Sequence, residues 1–349
     1  MIFKYSVGLD ISGADFKACI CTIDQEQKIK VIASTKFANT KSGFQKLETW
    51  IHAKHKDKQI PVTICMESTG VYYENCALYL SVKAFRVCVI VPNKAKKYMQ
   101  AIGLKSKNDK IDAAGLARMG AEQSLEQWIP ISEFLYRLRS MTRQHQSLQE
   151  QKTVFKNQLH AAQAGMYSDK ILVDQLKKMI ALTNKLIKQT SAEIVKLVNS
   201  DKEMKQKIEG ICQIKGLGIL TVATVVAEAN GFELFKNYKQ LVSFAGYDVI
   251  ENQSGKHIGK TKISKRGNSR IRRILYMPAF IAVKYEQKPF SDLHERVFER
   301  SKIPMKAYVA VQKKLLIMIY YLWKKNEKYD PNFRQNIQEK ELVFSSVHV

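Results

Sequence analysis

Nothing in this chain reaches the ~18 consecutive apolar residues that a bilayer-spanning helix needs. Its start, Met1-Ile2-Phe3-Lys4-Tyr5, leads into a strand pattern rather than a signal peptide, so a membrane is not the expected partner. Acidic residues are scarce: 32 Asp and Glu stand against 57 Lys and Arg, a formal net charge of +25. An excess of that size implies a polyanionic partner, and a nucleic acid is favoured over a lipid surface. The six cysteines (19, 21, 65, 76, 88 and 212) include no CxxC pair and have no histidine at metal-ligand spacing beside them. Most lie in apolar, strand-like runs and are expected to be buried, reduced thiols of a cytoplasmic protein. No internal repeat is visible. What the chain does have is 349 residues with 45% hydrophobic content, enough for two or three packed domains.

Residues 1–130 alternate in type. Strands are predicted near 4–10, 16–23 and 28–37, the middle one alternating as Ala18-Cys19-Ile20-Cys21-Thr22-Ile23. A helix near 42–56 follows, with Phe44, Leu47 and Ile51 on one stripe and Ser42 as its cap. Then come a strand at 60–67, a helix near 71–83, a strand at 85–91, a helix opened by Pro92, and a last helix beginning near Asp109. Four acids fall at telling places in that order. Asp10 ends the apolar strand Tyr5-Ser6-Val7-Gly8-Leu9, and Glu67 ends Val62-Thr63-Ile64-Cys65-Met66. Asp109 and Asp112 lie one helical turn apart in Asp109-Lys110-Ile111-Asp112-Ala113-Ala114, so both face one side. Carboxylates at adjacent strand ends with a helix facing them make a hard-oxygen cage for Mg²⁺ or Mn²⁺. In so basic a chain they point to metal-assisted chemistry on a phosphodiester. The order βββαβαβα with a mixed sheet is that of the ribonuclease H fold, whose carboxylates come from the first strand, the fourth strand and a late helix.

Residues 131–205 lose strand character and read as helical. A heptad runs through Val173, Leu176, Ile180, Thr183, Ile187, Thr190, Ile194 and Leu197. Branched residues at its a positions favour a two-stranded coil, and the two threonines weaken it. Two readings remain open: an amphipathic helix packed within its own chain, or a helical hairpin that contacts another subunit.

Residues 206–325 form a third region. Ile214-Lys215-Gly216-Leu217-Gly218-Ile219 has the glycine-rich turn of a helix-hairpin-helix, in which Lys215, Gly216 and Gly218 would let backbone N–H groups approach a phosphate; a plain loop is the alternative. The segment 256–273 holds eight Lys or Arg and no acid: Lys256, Lys260, Lys262, Lys265, Arg266, Arg270, Arg272 and Arg273. So dense an acid-free run is expected to meet phosphates. An aromatic-rich amphipathic helix covers 304–325, and 326–349 looks like a polar extension.

The acids in Gly8-Leu9-Asp10, Glu67-Ser68-Thr69-Gly70 and Lys107-Asn108-Asp109-Lys110-Ile111-Asp112 resemble the DEDD motif of the insertion-sequence one-ten transposases and of the related Piv-type DNA invertases. Ile214–Glu228, Phe244-Ala245-Gly246-Tyr247, Gln253-Ser254-Gly255, Ile263-Ser264-Lys265-Arg266-Gly267-Asn268 and Lys306–Tyr321 resemble that family's second domain, in the same order. Asn108 departs from the pattern, which often has Thr before the third acid. The resemblance implies a RuvC-like domain, a coiled-coil segment and a small helical transposase domain. It also implies a serine nucleophile at Ser254, and a homo-oligomer, dimer or tetramer, guided by a noncoding bridge RNA. DNA element ends and target would be the substrates, in the bacterial cytoplasm at the nucleoid.

A serine hydroxyl is weak at its ordinary pKa and needs activation and a stabilised leaving oxygen. The expectation is therefore that Asp10, Glu67, Asp109 and Asp112 hold Mg²⁺ while Ser254 attacks, the two parts drawn from one subunit or from two. The alternative is a RuvC-like, metal-dependent DNA junction endonuclease that uses water. Gly8-Leu9-Asp10-Ile11-Ser12-Gly13 also resembles the first phosphate loop of actin-like ATP-binding proteins, but the second glycine-rich Asp loop of that group is missing. A catalytically silent nucleic-acid scaffold is disfavoured by the intact acids.

Overall fold

Apolar and β-branched residues fill the middle of the first two strands of the chain, which are buried there on both faces, while the third alternates and is largely exposed at the sheet edge. These are β1 (Ile2–Ile11), β2 (Asp15–Asp24) and β3 (Ile29–Ala38), paired antiparallel in sequence order. β4 (Val62–Glu67) then joins parallel to β1, and β5 (Arg86–Ile90) parallel to β4, giving a mixed sheet of order β3-β2-β1-β4-β5. The computed structural model describes residues 1–104, 108–250, 253–254, 257–258 and 262–332. Two compact units divide the chain, Met1–Pro130 and Ile131–Val349.

In the first unit α1 (Lys41–Lys54) and α2 (Glu74–Val82) cover one face of the sheet. Phe44, Leu47, Ile51, Cys76, Ala77 and Leu80 pack there with Val7, Leu9 and Ile64. Thr40, not Ser42, caps α1: its side chain accepts the Gly43 N–H at 3.3 Å. The helix starts at Lys41, which puts Ser42 already inside the first turn. α3 (Pro92–Ala101) and α4 (Asp109–Glu122) cover the other face. There Ala113, Ala117 and Ala121 meet Cys19 and Cys21, while Leu116 and Met119 meet Cys65 and Cys88. This is the ribonuclease H-like, RuvC-like arrangement that the element order predicts.

Small side chains let α4 lie unusually close to the sheet. A Cβ on Gly8 would stand 2.1 Å from the Ala113 carbonyl oxygen and 2.2 Å from the Ala117 nitrogen. One on Gly120 would stand 2.4 Å from Ser6 Oγ. Because 113 and 117 lie over residue 8 while 120 lies over residue 6, the helix runs antiparallel to β1. Its N-terminus is thereby brought to the end of the strand that carries Asp10. Lys4 Nζ donates to the Gly120 and Gln123 carbonyls, satisfying acceptors at the helix C-terminus. All six cysteines are free, and burial pushes the Cys21, Cys65 and Cys76 thiols up to about 12. They are packing residues rather than nucleophiles.

The second unit begins with a helical hairpin, α5 (Glu133–Ala164) and α6 (Lys170–Asn199), capped by Ser132 and Asp169. In α6 Val173, Leu176, Thr183 and Ile194 are buried, and Ile180, Ile187, Thr190 and Leu197 are half-buried. The heptad positions therefore lie on the covered side of a helix that packs along α5 of the same chain. The threonines fit there because each hydroxyl donates to a carbonyl one turn back, Thr183 to Met179 and Thr190 to Leu186. Then come α7 (Lys202–Ile211), α8 (Ile219–Glu228), α9 (Tyr238–Phe244), α10 (Ser269–Ile274), α11 (Tyr276–Lys284), α12 (Lys288–Ser301) and α13 (Pro304–Lys325). α8 is apolar on every side and buried from Thr221 to Glu228, the mark of a central core helix. Beyond α13 the chain stays packed for a few residues. Tyr329 is buried and its N–H donates to the Gly210 carbonyl at 3.2 Å; of the polar extension expected over 326–349, residues 333–349 lie outside the described residues. Among the described residues no helix is long and apolar enough to cross a membrane.

Gly8→Ala should destabilise the first unit by about 3 kcal/mol, the upper end of the overpacking range, because the atoms met are helix backbone. Urea unfolding measures this, and an unchanged midpoint would refute the close helix–strand contact.

Candidate active site

Period-two alternation along the strands decides where the first two acids point. Gly8 faces α4, so Asp10, two residues on, faces it too. Cys65 lies under Gly120 of α4, so Glu67 also shares that side. Asp10 and Glu67 each follow the last parallel pair, Leu9 with Met66, and neighbouring strands stand about 4.8 Å apart. Asp109 and Asp112 occupy the first turn of α4, whose Ala113 rests on Gly8. Asn108 supplies the helix cap: its side chain accepts the Ile111 N–H at 2.9 Å. Thr can cap a helix in the same way, so this departure from the family pattern keeps the local structure. Thr69 Oγ1 donates to Glu67 Oε1 at 3.2 Å. The backbone thus gathers all four acids at one end of the sheet. Among the described residues, however, no three Asp, Glu, His or Cys side chains stand together as a metal-ligand group. The donor chemistry fits a hard divalent cation, because all four groups are carboxylates with no thiol or imidazole among them.

In the second unit a narrow antiparallel ribbon carries Ser254. β6 (Val249–Ile250) pairs with β9 (Lys262–Ile263), and β7 (Gln253–Ser254) pairs with β8 (His257–Ile258), with Ser254 opposite His257. Lys256 and Lys260 lie outside the described residues. The base of the ribbon is firmly knitted. Ser264 N–H donates to the Asp248 carbonyl at 2.8 Å, Lys265 N–H to Gly246 at 3.1 Å, and Asn268 N–H to Phe244 at 2.7 Å. Gly246 has φ +72, and a Cβ on Gly267 would stand 2.3 Å from the Phe244 carbonyl oxygen, so both positions demand glycine. Tyr247 anchors this base to α13 through a buried bond from its hydroxyl to Gln312 Oε1, 2.9 Å.

The basic segment is not one uniform surface. Lys262, Lys265 and Arg266 are exposed beside the ribbon. Arg272 instead donates to the Ala245 carbonyl at 2.8 Å and the Gly267 carbonyl at 3.3 Å, and Arg273 pairs with Glu150 of α5. At the glycine turn between α7 and α8, Gly216 has φ +101, and a Cβ there would meet Ile281 at 3.0 Å. Packing on α11 explains this glycine without a phosphate. The Lys215 N–H is already bound to Gln287 Oε1 at 3.1 Å, and its ammonium stands 5.5 Å from the centre of the Tyr285 ring. Gly218 has open space around it.

Sequence reasoning assigned no role to Glu228, a lone carboxylate ending an apolar helix, and that isolation was the available signal. Its side chain is 1% exposed, and it accepts Arg143 Nε at 2.6 Å, Arg143 Nη2 at 2.9 Å and Asn268 Nδ2 at 2.7 Å. Asn268 in turn caps α10, its Oδ1 accepting the Arg270 and Ile271 N–H groups at 3.0 and 3.2 Å. One buried acid therefore joins the α5 arm, the ribbon base and the helix that carries Arg270. Burial pushes the Glu228 carboxyl up, but the bonds from Arg143 and Asn268, with the nearby Arg270 charge, hold it below the ordinary glutamate range.

With its folded pKa depressed, Glu228 contributes stability fully above the unfolded value of about 4.3 and loses it as the pH falls through the folded value. Glu228→Gln should cost about 2 kcal/mol at neutral pH, because a neutral amide replaces the buried carboxylate that accepts charge-assisted bonds from Arg143. It should also flatten the loss of stability below about pH 4. Urea midpoints measured across pH test both, and a variant that tracks the parent throughout would rule the network out as a stabilising element.

Comparison with known proteins places this geometry. Residues 7–168 match the family model of DEDD transposases of the IS110 type, described as Transposase. Residues 209–295 match the model described as Transposase IS116/IS110/IS902 family. The chain is 26% identical over 333 residues to the pilin gene-inverting protein of Moraxella lacunata, covering 95% of this chain and 99% of that one, and the same figures hold for its counterpart in Moraxella bovis. Among solved structures it is similar to T. thermophilus RuvC in complex with a Holliday junction substrate, at 9% identity, 33% of this chain, 90% of that one and a TM-score of 0.25. A score that low adds nothing to the strand order above. Two models of one family, matched in order and together spanning the acids and Ser254, show that this protein belongs to the IS116/IS110/IS902 transposase family and is a DNA transposase/recombinase.

Proposed function

We propose that the enzyme cuts and rejoins DNA strands through a phosphoserine at Ser254, with Mg²⁺ or Mn²⁺ held by Asp10, Glu67, Asp109 and Asp112, and with a noncoding bridge RNA guiding it to its targets. Ser254 Oγ attacks the scissile phosphorus and loses its proton. The new O–P bond forms as the bond to the 3′-oxygen breaks, and that oxygen leaves as a hydroxyl. Attack by another 3′-hydroxyl reverses the step on a new strand, so the energy of the phosphodiester is kept. When bound, the cation polarises the phosphate and offsets charge on the leaving oxygen.

The observation that carries this reading is the shared α4 side of Asp10 and Glu67, with Asp109 and Asp112 at the N-terminus of the same helix. For Ser254 the support is its place in Gln253-Ser254-Gly255 on a ribbon with a knitted base. Lys262, Lys265 and Arg266 would meet phosphates, with Gly218 contributing at a helix-hairpin-helix turn. The excess of positive charge supports a nucleic-acid guide as well as a DNA substrate. We read 131–205 as an arm and 206–325 as the transposase domain proper. Inversion of a DNA segment is a second reading of the output, favoured by the nearly full-length likeness to gene-inverting proteins.

The arm is also the proposed site of self-association. Leu172, Met179 and Leu186 recur one heptad apart on α6, with Leu182 between them, and all four are exposed. A second copy offering the same stripe would bury it.

Ser254→Ala should keep DNA binding and lose the protein-linked DNA that denaturing gels detect, while Asp10→Ala or chelation of divalent ions should lose cleavage. Continued nicking by Ser254→Ala would instead assign water as the nucleophile, as in a junction endonuclease. Leu182→Lys should shift the full chain to a smaller species in light scattering; an unchanged mass would place self-association elsewhere.

A further inference from the structure

Immediately after Glu67 the chain turns through Ser68-Thr69-Gly70-Val71-Tyr72-Tyr73 into α2. Tyr72 is 52% exposed and Val71 61%, at the same end of the sheet as the acids. The Tyr72 ring lies beside glycines of two loops: a Cβ on Gly13 would stand 3.3 Å from its Cε1, and one on Gly70 3.8 Å from its Cδ2. Its backbone is tied. Asn39 Nδ2 donates to the Tyr72 carbonyl at 3.1 Å and to the Ser12 carbonyl at 2.8 Å, and the Asn39 N–H donates to Ala14 at 2.9 Å. Asn39 thereby links the loop after Glu67 to the turn after Asp10. These ties run through backbone atoms and do not need the aromatic ring.

We propose that Tyr72 is a stacking platform for an unpaired nucleobase of the bound DNA strand. The proposal rests on reading the four acids as the phosphodiester site. A base seated on the ring would set its neighbouring phosphate at the strand ends that carry Asp10 and Glu67, so Tyr72 is a positioning residue for strand cleavage. The chemistry favours this occupant. A tyrosine has only two side-chain torsions to fix and loses little freedom on binding, and every base offers a π face, so stacking tolerates sequence. Tyr72 itself carries no charge, so its contribution is separable from phosphate contacts.

The test uses the full chain and an oligo-dT strand carrying one 2-aminopurine, whose fluorescence falls on stacking. Tyr72→Ala should weaken binding about 5- to 150-fold and abolish the quenching, with the salt dependence of binding unchanged. Tyr72→Phe, which keeps the ring, should restore both. Should Tyr72→Ala fold poorly, Tyr72→Leu fills similar space without a π face and is expected to behave as Tyr72→Ala does. Parental affinity and quenching in the variants without a ring would overturn the proposal. So would a Tyr72→Phe as defective as Tyr72→Ala, or quenching of an oligo-U strand but not of oligo-dT, which would assign the platform to RNA. Asp10→Ala should lose cleavage yet keep the quenching. If Asp10→Ala still cleaves, the reading of the acids falls, and Tyr72 loses its role in positioning even where stacking persists.

Discussion

The contact between α4 and β1 is the constraint on which the rest of the first unit depends. Helix backbone rests directly on strand backbone at Gly8, because neither residue 8 nor the facing alanines put bulk between them. That contact sets both the height and the direction of the helix. With the direction set, the first turn of α4 must stand at the carboxyl end of β1, which is also the carboxyl end of the parallel β4. For this reason all four acids stand at the same end of the sheet. The small cysteines and alanines that line the same face are part of the device. They supply apolar burial without pushing the helix away.

The second unit solves a comparable problem with a charge. Its core is built around an apolar helix that ends at Glu228, beside the base of the ribbon that carries Ser254. Glu228 closes the helix with a carboxylate that has no access to water, so it is tolerable only while Arg143 and Asn268 satisfy it. Geometry good enough to satisfy the acid also orients the ribbon base and caps α10. Gly246 and Gly267 complete the arrangement by letting two loops touch backbone to backbone. The stretches Phe244–Tyr247 and Ile263–Asn268 are thus one structural unit that is split in sequence.

Much of this was legible from residues alone. Alternation and apolar runs located all five strands of the sheet, Pro92 marked a helix start, and the acids stood out because each ends a strand or opens a helix. The heptad of α6 was visible too, but periodicity reports a buried stripe and is silent on what buries it; part of the answer is α5 of the same chain. The basic segment was free of acids only along the chain. In space Glu228 and Glu150 approach it from helices far away in sequence: Glu228 carries its charge near Arg270, and Glu150 pairs with Arg273. Gly216 looked like a phosphate turn, yet Ile281, far downstream, already demands a glycine there.

The sequence by itself determined the type and order of the elements, the positions of the acids at element ends, the positive field of the whole chain and the family. All of these are local or additive properties: periodicity, capping, net charge and short motifs. Only the tertiary structure decided which side of the sheet Asp10 and Glu67 face, which arginines already spend their hydrogen bonds inside the protein, and that Tyr72 stands exposed between two glycines at the acid end. Those facts depend on contacts between residues tens of positions apart. No local pattern encodes such contacts, because they exist only after the chain has closed on itself.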